Sequence, residues 1–152
     1  DAVSGRVSVV VPTTESRQVF HEQLCASFLA QTWPDTELVV IETYCSRPSP
    51  FFSAEQERGG LGGRLVYIPI QVNLVADLSI GLKRNIAALV ASGRYIANFD
   101  DDDLYSPAYL GTMIGSMHEQ GCRAITLSSW YVYDCNAGRF GHFYPLDVCS
   151  PS

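Results

Sequence analysis

The chain has 152 residues, enough for one domain with a core of its own. Hydrophobic residues make up 47% and charged residues 17%, which excludes a disordered chain. A net charge of −6 argues against a nucleic-acid binder, whose footprint is basic, and no apolar run is long enough to span a bilayer.

Arg6 to Val11 is a β-branched run closed by Pro12, which reads as a buried parallel strand. Thr13 and Thr14 can cap a helix over Ser16 to Gln31, where Phe20, Leu24 and Phe28 recur at four-residue spacing. Glu37 to Glu42 is a second strand, ending at the same sheet edge as Thr13. A loop-rich stretch, Thr43 to Gly63, has room for a short helix over Ala54 to Arg58. Arg64 to Ile68 is a third strand, stopped by Pro69. Asp77 or Ser79 caps a helix through Ser92, with Gly93 as its stop. Tyr95 to Phe99 is a fourth strand, and Pro107 to Gln120 a further helix with Leu110, Ile114 and Met117 on one face. Ala124 to Tyr133 reads as a long strand, and Arg139 to Tyr144 as its antiparallel partner across the turn at Asn136-Ala137-Gly138. This order predicts an α/β fold: a mostly parallel sheet with helices on both faces and a C-terminal antiparallel strand pair, in a single domain over 1–152.

The five cysteines, Cys25, Cys45, Cys122, Cys135 and Cys149, match no zinc spacing. Their odd number points to free thiols in a reducing compartment, hence a cytoplasmic chain. Cys25 and Cys122 read as small core residues. Asp1 to Gly5 is not a signal peptide. An anchor outside this chain would leave it membrane-associated.

Four consecutive carboxylates, Asp100 to Asp103, follow the fourth strand. They lie where open α/β sheets bind ligands, at the carboxyl end of a strand. Like charges in one turn repel until a cation neutralises them, and hard oxygen donors suit Mg²⁺, Mn²⁺ or Ca²⁺. The alternative is a solvated acidic turn. An EF-hand fails, because Leu104, Tyr105 and Gly111 stand where its later ligands and glycine belong. There is no Gly-x-Gly-x-x-Gly and no P-loop, so any phosphate has to be held by metal.

Val7 to Thr13, Ser27 to Pro34 with Glu37 to Ile41, Lys83 to Ala87 with Ala91 to Ile96, and the aspartates, taken in that order, resemble family 2 glycosyltransferases of the GT-A, Rossmann-like fold. The resemblance implies a glycosyltransferase that moves a sugar from a nucleotide-sugar donor, a UDP-sugar first, to an acceptor hydroxyl with inversion, assisted by Mn²⁺ or Mg²⁺. It places Asp100 and Asp102 on the family's Asp-x-Asp metal motif, with Asp100 also serving the ribose, and Asp101 in the variable middle. It puts Pro12, Thr13 and Thr14 on the base pocket, Glu42 where an Asp usually contacts uracil or ribose, and Arg84 and Asn85 beside the nucleotide.

No acid matches the family's later motif. Asp134 and Asp147 remain as candidate general bases, beside readings of Asp134 as a turn acid and Glu119 as an exposed helix end. His21 and His118 read as helix-surface residues and His142 as a strand residue. The acceptor, whether carbohydrate, lipid or protein, is not specified. The chain reads as truncated on the acceptor side, so that donor binding is expected with little transfer. The alternatives are a non-catalytic nucleotide-sugar-binding domain and a metal-dependent phosphohydrolase or nucleotidyltransferase.

Overall fold

Two β-branched runs make the centre of the fold. β1 (Val7–Thr14) and β2 (Thr36–Tyr44) pair in parallel from Val7↔Thr36 to Thr14↔Thr43. β3 (Leu65–Gln71) adds to β2 and β4 (Tyr95–Asn98) to β1, both parallel, giving the order β3-β2-β1-β4. The computed structural model describes residues 3–73 and 77–144, in two units that divide between Ile114 and Gly115.

Side-chain alternation gives the sheet two apolar faces. Val7, Val9, Val11, Leu38 and Val40 meet Leu24 and Phe28 of α1 (His21–Leu29), Phe52 of α2 (Pro50–Glu57), and Leu110 and Ile114 of α5 (Tyr109–Glu119). Val10, Val39 and Ile41 meet Ala87 of α4 (Ile80–Val90), whose small side chain lets the helix lie close. A four-residue turn, α3 (Gly60–Gly63), leads into β3. The parallel sheet with helices on both faces is therefore the fold observed. In the second unit β5 (Trp130–Asp134) and β6 (Arg139–Phe143) pair antiparallel, as expected. Among the described residues, no helix is long and apolar enough to cross a membrane.

The differences have local causes. β1 runs through Pro12 because β4 pairs only as far as Val10. The Val10 carbonyl accepts from Phe99 N on that side, so the Pro12 nitrogen, two residues on, points past the end of β4. β3 runs through Pro69 because it is an edge strand. The first helix does not start at Ser16. Glu15–Phe20 forms a 3₁₀ segment, and Glu15, Arg17 and Gln18 there are all drawn into tertiary bonds. α2 is longer than expected because Ser49 caps it, accepting from Phe52 N, with Pro50 in its first turn. α5 begins at Tyr109, not Pro107. Of the long strand expected from Ala124, only Trp130–Asp134 forms, matched to the five residues of β6. Cys25 is buried as expected, whereas Cys122 is only half-buried.

Gly93 has a different role from the helix stop expected of it. α4 ends at Val90, and Gly93 lies flat against β1, donating from its N–H to Ser8 Oγ at 2.8 Å. A Cβ there would overlap Ser8 Oγ and come within 2.7 Å of Ser8 N and 2.9 Å of Arg6 O. Gly93→Ala should therefore cost about 2 kcal/mol, the scale of overpacking against backbone. Gly81→Ala, on an open helix surface, should gain about 0.5 kcal/mol. Denaturant unfolding of both variants checks the contrast, and an unchanged Gly93→Ala would contradict the packing described.

Candidate functional site

Two clefts open at the carboxyl edge of the parallel sheet. The first, about 410 Å³, is lined by Pro12, Thr13 and Thr14 of β1, by Arg17 of the 3₁₀ segment, by Ile80, Lys83 and Arg84 of α4, and by Asp100, Asp101 and Asp102 after β4. The second, about 400 Å³, is lined by Thr14, Glu15, Ser16, Thr43, Tyr44, Cys45, Ser46, Val72, Asn73 and Asp77. Thr14 borders both.

The four aspartates are not equivalent. Asp101 is buried, and its carboxylate accepts from Thr13 Oγ1 and Arg17 Nε, each at 2.6 Å. Asp102 and Asp100 are half exposed, at 47% and 55%. Asp102 pairs with Arg17 at 2.6 Å and Asp100 with Arg84 at 2.8 Å, each through one oxygen. Asp103 shows the repulsion within the cluster: burial, then the charges of Asp100, Asp102 and Asp101, push its carboxyl above the usual range. The loop is pinned by Tyr105, which stacks on Phe99 at 3.6 Å and accepts from Asp100 N at 2.9 Å. Burial raises the Tyr105 phenol well above its ordinary pKa, so it stays neutral beside the acids.

Behind Asp101 runs a directed chain of hydrogen bonds. Thr13 has one proton and gives it to Asp101. His21 Nε2, 3.0 Å from Thr13 Oγ1, must therefore donate to it. His21 Nδ1 then accepts from Ser49 Oγ at 2.8 Å. His21 is fully buried against Phe52, so the surface position expected for it is wrong. The 3₁₀ segment delays the helix and turns this first residue of α1 inward, under β1. Burial lowers the imidazole pKa, outweighing the opposing pull of Glu42 and Asp101.

Lys83 is buried too. Its ammonium donates to Thr13 O at 3.0 Å and Thr43 Oγ1 at 2.5 Å, and reaches Asp77 at 3.3 Å. All three donors are used, so this lysine ties the ends of β1 and β2 to the start of α4. Asp77, half exposed in the second cleft, loses something to burial, but the Thr43 hydroxyl and Lys83 more than compensate and hold its pKa down.

The structure brings together Pro12, Thr13, Thr14, Arg84, Asp100, Asp101 and Asp102 of the residues chosen from sequence. Glu42 lines neither cleft. It shares the face of Leu38 and Val40 and is fully buried under α2. It accepts there from Gln18 Nε2 at 2.7 Å, from Ser49 N at 2.8 Å and from the Tyr67 hydroxyl. Asn85 is exposed and lines neither cleft, because the helical turn carries it past the face that holds Lys83 and Arg84. Asp134, in the second unit, accepts from Asn136 N and Ala137 N and so closes the β5–β6 turn, the role of a turn acid. Asp147 lies outside the described residues. Sequence reasoning missed Arg17, Gln18, His21, Tyr105 and the depth of Lys83.

Among the described residues no three His, Cys, Asp or Glu side chains form a ready metal cage. A magnesium-type site needs none, since one or two carboxylates and the phosphates of a substrate complete it. Asp100 and Asp102 fit that requirement, each with an oxygen outside its arginine bond. Arg84 Nε supplies a second observation. It is buried and has no partner, a donor suited to an anionic oxygen in the same cleft.

The His21 chain makes stability depend on pH. Below about pH 6.5, the ordinary imidazole value, the unfolded chain binds a proton that the folded chain refuses. Folded stability should thus fall as pH drops from 7 toward 5 and recover above it. His21→Gln, which cannot titrate, should flatten that part of the profile. Urea unfolding across this range is the check, and an equal slope in both proteins would contradict a neutral buried His21.

The family model of glycosyl transferase family 2 matches residues 8–145. No curated protein sequence matches the chain. Among solved structures, S. aureus TarS 1–349 matches with a TM-score of 0.61 and 23% identity over 81% of this chain and 39% of that one. The same fragment in complex with UDP-GlcNAc matches at 0.56 with 22% identity, over 81% and 37%. The mannosyltransferase PcManGT from Pyrobaculum calidifontis, in complex with GDP-Man and Mn²⁺, matches at 0.59 with 18% identity, over 87% and 36%. The chain spans about two fifths of the TarS fragment. These likenesses give the GT-A fold, and the match along most of its length shows that the chain belongs to glycosyl transferase family 2.

Proposed function

We propose that this chain is the donor-binding part of a glycosyltransferase. It takes a nucleotide sugar, a UDP-sugar first, and serves its transfer to an acceptor hydroxyl with inversion. The carrying observation is the first cleft: two half-exposed carboxylates and an unpartnered buried guanidinium nitrogen at the strand ends of a family 2 domain. The diphosphate belongs there, with Mn²⁺ or Mg²⁺ at Asp100 and Asp102. The nucleoside belongs in the adjoining cleft past Thr14, where Asp77 offers a carboxylate to a base N–H or a ribose hydroxyl. The neighbours' complexes with UDP-GlcNAc and with GDP-Man and Mn²⁺ support this reading.

The chemistry follows from charge. As the bond from sugar to diphosphate breaks, negative charge grows on the leaving oxygen, and a bound divalent cation supplies its neutralisation. Arg84 adds a positive charge beside the leaving group. Asp101, Thr13 and His21 keep the loop in place while charge moves beside it. Glu42 acts from behind, holding Gln18 and the cap of α2.

Calorimetry tests this. UDP should bind the 152-residue chain with Mn²⁺, lose binding on addition of EDTA, and bind about 2 kcal/mol more weakly to Asp102→Asn, the scale of one lost charged partner. GDP measured alongside decides the base. UDP affinity indifferent to both EDTA and Asp102→Asn would refute the proposal.

A further inference from the structure

Arg17 divides its guanidinium between two carboxylates of different standing. Nε bonds Asp101, which is buried and held again by Thr13. The terminal nitrogen Nη2 bonds Asp102, which is half exposed in the cleft. The Phe20 ring lies under the guanidinium, its centroid 5.1 Å from the central carbon. The first contact is anchored, whereas the second faces water and can exchange.

Charge balance in the cleft gives that exchange a purpose. The lining holds three carboxylates, Asp100, Asp101 and Asp102, and three cations, Arg17, Lys83 and Arg84. A bare cation finds its carboxylates already paired with arginines, and a bare diphosphate finds the arginines already paired with carboxylates. A divalent cation and a diphosphate together can separate these pairs, each taking the partner of its own opposite charge.

Resting on the metal-assisted donor reading above, we propose that Arg17 is a diphosphate ligand that Asp102 holds until a divalent cation takes its place. The cation and Arg17 compete for one carboxylate. The freed Nη2 arm then donates to the diphosphate, while Nε stays on Asp101. Arg17 thus opposes the metal alone and supports the metal with nucleotide, which makes the two bind as a pair.

The test is a set of titrations on the 152-residue chain: Mn²⁺ alone, followed by electron paramagnetic resonance of the free ion, and pyrophosphate or UDP at saturating Mn²⁺, followed by calorimetry. Arg17→Gln should bind Mn²⁺ alone several-fold more tightly and bind Mn²⁺-pyrophosphate about tenfold more weakly, the loss of one charge-assisted bond. Arg17→Lys, which keeps a cation beside Asp101, should fall between wild type and Arg17→Gln on both scales, and thermal melts confirm that each is folded. Parallel weakening of both ligands would mean that Arg17 only props the loop. Unchanged pyrophosphate affinity would remove it from the diphosphate. Either result overturns the proposal. Wild-type chain that binds neither pyrophosphate nor UDP with Mn²⁺ would overturn the donor reading as well, so the two failures are distinct.

Discussion

A carboxylate buried beside three others has to be neutralised where it stands, and the site is organised around how Asp101 meets that demand. It accepts a hydroxyl proton from β1 and a guanidinium from the 3₁₀ segment. Leaving out Arg17 would strand a buried charge, and leaving out Thr13 would leave one of its oxygens unsatisfied, each more costly than an exposed pair is worth. The turn after β4 is therefore fixed by its most hidden acid, and its neighbours Asp100 and Asp102 are left at the surface of the cleft with oxygens to spare.

The same logic continues inward. Thr13 gives its proton to Asp101, so His21 donates to Thr13, and Ser49 meets the other ring nitrogen of that tautomer. Ser49 also caps α2 and donates to Glu42. One contiguous polar network thus links the ends of β1 and β2, the cap of α2 and the acidic turn, all beneath the clefts. Lys83 makes the matching tie on the opposite face of the sheet, from Thr13 O to Thr43 and Asp77. Such networks rigidify a site when every member is satisfied. Among the described residues Arg84 Nε is the buried side-chain polar atom without a partner, and Arg84 lines the first cleft.

The parallel sheet was legible because it is local pattern: β-branched runs broken by glycine, proline and helical spacing. The position of the aspartates at a strand end followed from the run Tyr95 to Phe99 ahead of them. What was not legible is which way particular side chains face and what meets them. Glu42 has the right residue type and lies at the right edge, yet one step of alternation turns it under α2, while Thr43 beside it reaches Lys83. A regular helix from Ser16 would put His21 on its surface. The 3₁₀ segment, drawn into place by Glu15, Arg17 and Gln18, shifts the phase. Pro12 reads as the end of a strand because the early finish of β4 is a property of pairing, not of the Pro12 neighbourhood. Ser8, a polar residue inside an apolar run, carries a local signal of a buried bond, whereas Thr13, His21 and Lys83 stand next to other polar residues and only the tertiary structure shows them buried and paired.

On the proposed reading, the cleft beside the acidic turn takes a nucleoside diphosphate together with a divalent cation. Paramagnetic broadening by Mn²⁺ tests it most directly, in ¹H–¹⁵N spectra of the 152-residue chain recorded with and without UDP. Mn²⁺ with UDP should bleach the amides of Thr13, Thr14, Arg17, Arg84 and Asp100 to Asp102, with a diamagnetic Mg²⁺-UDP sample showing shifts at the same residues. Broadening that is absent from these amides, or unchanged by the nucleotide, would contradict it.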